Sequence, residues 1–422
     1  MASRPATPRP SKASPSRLLA REILAEARVR GAYVRELVDA RRGRDGVSRE
    51  DFDFAQVLVF GVTMCAGTLD ELIDRNLSSP LDVRARLRDC LRVSAYELAF
   101  LRKPEHVAVD QGVELAKAVE PRAAGLANAV LRKMAVDARA FPWGDPESDP
   151  AAFARSFGVP EWLASRLVAD VGREKAASML SACLAPAPTY LADNPFAPGE
   201  PFPADLSSQQ TASLLPLSGE VLEVGSGRGT KTLLLEGRSL RERGSCARVH
   251  AVDVHEYKRG LLEERMARFG VEGVSAYAGD ARDLDSIEGL PERFDAAFVD
   301  APCSGTGTLR RHPEIRWRLS AADVEELSLL QGELLASAAS RVKAGGTLVY
   351  ATCSVLPAEN QGVVEGFLAG EAGEGFAAVP VRREELLEGE PESALTPEGW
   401  FSSLPSDGGP DGHFAARLRR LR

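Results

Sequence analysis

The chain has 422 residues, 44% hydrophobic and 27% charged, with a formal net charge of −9. This length exceeds one ordinary core and implies two or three domains. No apolar run reaches the roughly 20 residues needed to span a bilayer, and the basic N-terminus lacks a signal-peptide core, which excludes membrane and secreted classes and leaves a cytoplasmic protein as the expectation.

The six cysteines (65, 90, 183, 246, 303 and 353) form no CxxC pair and no His/Cys ligand spacing. That argues against zinc and against a disulfide framework, so no metal is expected and any special cysteine is a free thiol. The acidic balance is uneven. Residues 1–44 hold eleven Lys/Arg against four Asp/Glu, the last ten residues hold four arginines and no acid, and Arg310 to Arg318 holds four arginines against Glu314. Basic patches on an acidic body fit a polyanion that docks on selected surfaces, although each patch taken singly reads equally well as solvated surface.

In chain order, residues 1–16 are rich in Pro, Ser and Ala and predict a disordered basic tail. From 17 to 136, apolar residues recur at helical spacing (Leu18, Leu19, Ile23, Leu24, Ala27; later Leu126, Val130, Leu131, Met134) and predict an all-α bundle. "AFPWGDPESDP" (140–150) breaks the pattern, so 137–217 reads as a linker and a pre-catalytic piece, with a short helical stretch over about 160–184. From 218 to 422 the pattern alternates. "EVLEV" (220–224), "RVHAVD" (248–253), "FDAAFVD" (294–300) and "GTLVYAT" (346–352) predict strands, with helices between them. The clearest helix begins at Ser320, where Ser320 and Asp323 suit a capping box, and Gly345-Gly346 should stop it. Such alternation predicts a mostly parallel, Rossmann-like α/β sheet whose ligands bind at the carboxyl ends of the strands.

The candidate residues fall at those ends. After the first strand, Glu223 is followed by Gly225, Ser226, Gly227 and Gly229, a G-x-G-x-G rather than the G-x-G-x-x-G of dinucleotide folds. This E-x-G-x-G-x-G loop resembles the S-adenosylmethionine site of class I methyltransferases. Asp253, in "AVDVHEYK" with Lys258, ends the second strand and could accept two ribose hydroxyls; Asp280 ends the third and could take an adenine amino group. Either acid could instead be a helix N-cap. Just past the next strand lies "DAPCSGTG", with Asp300 and Cys303. A thiol here suggests covalent catalysis at a ring carbon. C5 of cytosine is not nucleophilic until a thiolate adds to C6, and an acid beside N3 would stabilise the charge that develops. Cys353, in "YATCS", ends the following strand. A lone cysteine is usually a small buried hydrophobe, but two at neighbouring strand ends point to one pocket.

The pair "DAPCSGTG" and "TCS", with "RRHPEIRW" between them, resembles the Sun/Fmu family of bacterial 16S ribosomal RNA cytosine-C5 methyltransferases. The resemblance implies that Cys353 is the nucleophile, Cys303 the release residue and Asp300 the group contacting the base. It also implies that Gly225, Ser226, Gly227, Gly229, Glu223, Lys231, Asp253, Lys258, Asp280 and Asp300 hold S-adenosylmethionine, and that Arg310, Arg311, His312 and Arg316 bind RNA. DNA cytosine-C5 methyltransferases use the Pro-Cys thiol as nucleophile, which would exchange the two cysteine roles. "ENQGVVEGFL" resembles the family's Glu-Asn-Glu segment with Gln361 in place of the second acid, and "DGHFAARL" its closing strand with His413 where an aromatic is usual. "ARLRDCLRVSAYELAFL" and "AGLANAVLRKM" resemble the NusB-type RNA-binding bundle. Two features depart from the family: the glycine loop lacks the usual Cys-Ala-Ala-Pro-Gly-Gly run, keeping only Lys231 and Thr232, and the segment before "ADLSSQ" is short, without the expected Arg before Asn194.

The reading is an S-adenosylmethionine-dependent RNA cytosine-C5 methyltransferase, monomeric, acting on 16S ribosomal RNA. The competitors are a cytosine-C5 methyltransferase for another RNA and an antitermination-type RNA-binding protein with a degenerate catalytic half. A DNA enzyme would need a target-recognition insertion, and a dehydrogenase would need G-x-G-x-x-G.

Overall fold

The computed structural model describes residues 12–43 and 46–422. The expected disordered tail lies largely outside the described residues, but its end does not: a helix begins at Pro15, with Ser14 as N-cap accepting from the Arg17 N–H. The chain forms two compact units, one of residues 1–176 and 310–318, the other of 177–309 and 319–422.

The first unit is helical: α1 (Pro15–Arg30), α2 (Val34–Arg41), α3 (Arg49–Met64), α4 (Ala66–Arg75), α5 (Ala85–Ala99), α6 (Glu105–Val119), α7 (Ala124–Asp137), α8 (Pro150–Ser156) and α9 (Glu161–Val171), with α10 (Arg173–Ala182) leading out of it. Its core is the apolar stripe of these helices, including Ile23, Leu58, Leu69, Leu72, Leu91, Leu115 and Leu131, all essentially without exposed surface. The region expected as linker is divided. Its first part packs on the helical unit, where Trp143 Nε1 donates to Asp137 O at 2.9 Å and the Arg75 guanidinium lies 4.7 Å from the Trp143 ring.

Residues 310–318 also belong to this unit and end in the single turn α14 (Ile315–Arg318). Trp317 Nε1 donates to Met64 O at 2.9 Å, and its ring lies so close to Gly67 that a Cβ there would come within 2.2 Å. Glu314 accepts the Val34 N–H at 2.6 Å, and Arg316 donates to Phe157 O at 2.8 Å.

The second unit is a three-layer sandwich. Its strands are β1 (Glu220–Val224), β2 (Arg248–Asp253), β3 (Val274–Ala278), β4 (Phe294–Asp300), β5 (Val342–Thr352), β6 (Phe376–Ala378), β7 (Phe401–Ser402) and β8 (Phe414–Arg420). The order is β3-β2-β1-β4-β5-β8-β6, with β7 beside β8; the first five are parallel and β8 runs antiparallel to β5. Alternate residues bury opposite faces. Val221, Ala296, Phe298, Val349 and Ala351 pack towards α11 (Leu206–Ser213), α12 (Thr230–Arg243) and α13 (Glu256–Phe269). Leu222, Val224, Ala297, Val299, Leu348 and Tyr350 pack towards α15 (Ala321–Arg341) and α16 (Gln361–Ala369). The order reverses between β1 and β4, and a crevice for ligand opens at such a reversal.

The capping box at Ser320 and Asp323 is present, but Gly345-Gly346 does not end that helix. The helix stops at Arg341, and the glycines lie inside β5, where the register against β4 jumps from Phe294–Val342 to Ala296–Thr347. Gly345 has φ +74°, so the glycines serve a bulge that only a residue tolerant of left-handed backbone can make.

Candidate active site

The crevice is lined by the ends of β1, β4 and β5. Gly225, Gly227 and Gly229 all have positive φ (+81°, +56° and +79°), so the turn from β1 into α12 can be made without strain. At Gly225 a second constraint applies: a Cβ there would lie 2.1 Å from Asp300 O, so the loop and the end of β4 touch backbone to backbone. The Asp253 carboxylate at the end of β2 accepts from Gly227 N (3.1 Å), His255 N (3.0 Å) and Lys258 Nζ (3.2 Å), which joins that strand end to the glycine loop. Asp280, two residues past β3, is half-buried and accepts from the backbone and guanidinium of Arg282, which hold its carboxyl below the ordinary carboxylate range. Ser226 is buried within the loop.

Two of the expected residues already have partners within the protein. Glu223 is fully buried beneath the glycine loop, where Thr232 Oγ1 donates to it at 2.6 Å. Burial pushes its carboxyl up to about 7, and its second oxygen has no partner among the described residues. It therefore supports the start of α12 instead of lining the cofactor crevice. Lys231 turns from the loop to Asp300, with Nζ 2.7 Å from Oδ1. Burial works against its charge, but Asp300 and the two nearby thiols outweigh burial, so the ammonium is held above its ordinary value.

Cys303 and Cys353 are brought together. Their sulfurs are 3.2 Å apart, both are half-buried, and the Cys353 N–H also donates to Cys303 Sγ at 3.3 Å. The register explains this: Asp300 pairs with Ala351 across adjacent parallel strands, so each chain leaves its strand at the same level and reaches its cysteine within three residues. The hydrogen bond to Cys353, followed by burial and the nearby charges of Cys353 and Glu359, pushes Cys303 well above the usual thiol range.

The basic segment is placed differently from expectation. Arg316 has no exposed surface and Arg310 only 4%, both in the helical unit, so neither presents an open RNA-binding face. The segment follows the apolar surface and backbone carbonyls of that unit, which take up its charge and its aromatic ring. Arg311 and His312 are half-buried, with His312 edge-on to Tyr33 at 5.8 Å.

Glu359 carried no role in the sequence reading, yet it lies fully buried beneath the two thiols. Its carboxylate accepts from Ser304 N (2.7 Å), Ser304 Oγ (2.5 Å), Ser354 Oγ (2.5 Å) and Gln331 Nε2 (3.0 Å), and its carbonyl accepts from Tyr350 Oη at 2.6 Å. The available signal was the repeated Cys-Ser dipeptide followed by an acid: each active-site thiol is succeeded by a serine, and both serines need an acceptor.

A doubly wound parallel sheet whose central strand opens into a side-chain-free glycine loop, with acids at the next two strand ends, is the architecture of the class I S-adenosylmethionine-dependent methyltransferases, and the catalytic unit is one. Residues 213–419 match the 16S rRNA methyltransferase RsmB/F family, and residues 14–136 match the NusB family. The ribosomal RNA small subunit methyltransferase B of Thermus thermophilus is 31% identical, over 97% of this chain and 99% of its own. That of Klebsiella pneumoniae is 31% identical over 76% and 83%, and a Mycobacterium tuberculosis protein named only as a methyltransferase is 32% identical over 98% of both. The crystal structure of PH0851 shares the fold, with a TM-score of 0.73 at 21% identity over 97% of this chain and 100% of that one. The chain belongs to the RsmB/F family of S-adenosylmethionine-dependent ribosomal RNA methyltransferases and carries an N-terminal NusB domain. Among the described residues no single helix is long and apolar enough to cross a membrane.

Proposed function

We propose that the enzyme methylates C5 of a cytosine in 16S ribosomal RNA through a transient bond between Cys353 and C6. The observation that carries this reading is the pair of free thiols 3.2 Å apart at the ends of adjacent strands, beside the Lys231–Asp300 ion pair. The glycine loop fits a nucleoside cofactor, because its glycines lack side chains that would keep a ligand from the backbone and Asp253 closes against it; Asp253 would take the ribose hydroxyls and Asp280 the adenine amino group. S-adenosylmethionine, when bound, supplies an electrophilic methyl carbon.

Cys353 adds as thiolate to C6, and the displaced electron pair makes C5 the nucleophile. Asp300 meets the polar edge of the base, and the Lys231 ammonium neutralises the charge gathered there. After methylation, water takes the C5 proton, the C–H electron pair restores the C5=C6 bond, and the C6–S electrons return to Cys353. Cys303, held as the thiol, stabilises the leaving thiolate by hydrogen bonding and so serves release. Arg311 and His312 keep partial exposure and Arg318 is exposed, so these members of the basic segment can meet RNA, with the NusB domain supplying further contact.

The test is a pair of variants incubated with unmethylated 16S ribosomal RNA and cofactor. Cys303→Ala should accumulate a protein–RNA adduct that survives denaturing electrophoresis, and Cys353→Ala should be inactive and form none. The reverse pattern exchanges the two roles, and no adduct with either variant removes the covalent mechanism. Bisulfite sequencing of the RNA product reports whether cytosine C5 is the methylated position.

A further inference from the structure

The mechanism above uses Cys303 and Cys353 but does not explain what keeps two irregular loops in register. Both thiols lie beyond the ends of their strands. There the two loops are joined by the Gly307 N–H donating to Cys353 O (2.9 Å), by the Val355 N–H donating to Thr306 Oγ1 (3.1 Å), and by a carboxylate that both share. Ser304 follows Cys303, Ser354 follows Cys353, and both hydroxyls donate at 2.5 Å to the same carboxylate oxygen of Glu359. The other oxygen accepts the Ser304 N–H and the Gln331 amide, the latter reaching from α15. Thr306 Oγ1 lies 3.0 Å from Ser354 Oγ, and Asn360 binds both Thr352 Oγ1 (2.6 Å) and Ser354 O (2.9 Å). A fully buried acid with four donors and no cationic partner among them is expensive to build, and such networks fix one geometry when fully satisfied.

We propose that Glu359 is a positioning residue for the methyl-transfer reaction: its carboxylate ties the Cys303 loop to the Cys353 loop, and its charge makes Cys303 the thiol of the pair. The inference rests on the two-cysteine reading and deepens it. The groups facing Cys303 are Cys353, Glu359, Tyr350 and the Lys231–Asp300 pair. Glu359 is the buried acid that binds the Cys303 loop directly. A negative charge held there disfavours a second one on the adjacent sulfur. The division of labour between two chemically identical thiols then follows from the asymmetry of their surroundings.

Glu359→Gln keeps the size of the side chain and removes its charge. Two measurements on the full chain separate the proposal from a merely structural role. The first is peptide-resolved alkylation of Cys303 by iodoacetamide across pH, which needs neither RNA nor cofactor. Its midpoint should fall in the variant, because the opposing charge is gone. The second is methyl transfer, in which kcat should fall about 10–100-fold with little change in the KM for S-adenosylmethionine, as expected for a loss of geometry at the reacting groups. Ser354→Ala removes one strut and leaves the charge, so it should lower kcat with the Cys303 midpoint unchanged, and it serves equally if Glu359→Gln does not fold. An unmoved midpoint in folded Glu359→Gln overturns the charge role, and full kcat in both variants overturns the tie. The alkylation result stands whether or not a cytosine adduct is found, so failure here and failure of the two-cysteine mechanism are told apart.

Discussion

The two units differ in what several of their buried acids meet. In the helical unit two buried carboxylates are met by guanidinium groups: Glu97, fully buried, takes a two-pronged contact from Arg17 (2.5 and 2.9 Å), and Asp89, 1% exposed, is held by Arg28. In the catalytic unit Glu223, Glu236 and Glu390 instead meet hydroxyls or backbone amides, and burial pushes each carboxyl up to about 7. Charge pairing costs desolvation but fixes packing, which suits a domain whose task is to hold its shape. Glu359, which has four neutral donors, lies under the paired thiols. The difference lies in the partner each of these buried acids meets, a guanidinium for Glu97 and Asp89 and a neutral donor for Glu223, Glu236 and Glu390.

This contrast can be broken most sharply at Glu97. Glu97→Ala should destabilise the helical unit by about 3–5 kcal/mol, because Arg17 is left buried and unpaired. Arg17→Met with Glu97→Leu should recover most of that loss in a urea titration. If the single change costs less than about 1 kcal/mol, the pairing is not what holds these helices.

A smaller effect sharpens the other side. A carboxyl raised from the ordinary value to about 7 in the folded protein stabilises fully below the unfolded value and loses that contribution as pH rises through 7. The melting transition of the catalytic unit should therefore fall between about pH 5 and pH 7.5. Glu236→Gln should flatten part of the fall, and a slope left unchanged by that variant would assign the pH dependence elsewhere. The least effect is expected at the exposed Asp280–Arg282 pair: Arg282→Ala should leave the melting temperature unaltered, whereas Asp280→Ala should weaken S-adenosylmethionine binding in calorimetry if that acid reads the adenine.

Much of the catalytic half was legible in its residues. Strand and helix alternation follows from the spacing of apolar residues, and the glycine loop, Asp253, Asp300 and both cysteines could be assigned to strand ends because a parallel sheet leaves few other places for them. The capping box at Ser320 was equally local. Where the reading failed, the deciding partner was distant in sequence. Gly345-Gly346 looked like a helix stop, but the register against β4 made them a bulge.

Sequence by itself determined the chemistry available here: two thiols, an acid and a flexible loop, each at a position set by short-range pattern. Tertiary structure decided which of those groups meet. It took Arg316 out of solvent and turned Trp317 onto Met64, because a basic, aromatic segment reads alike whether its partner is an RNA or a row of backbone carbonyls. It also set Glu359 between Ser304 and Ser354, a contact that spans 55 residues on one side and five on the other. Periodicity reports how a residue faces its own element, while a hydrogen bond between elements depends on how those elements pack.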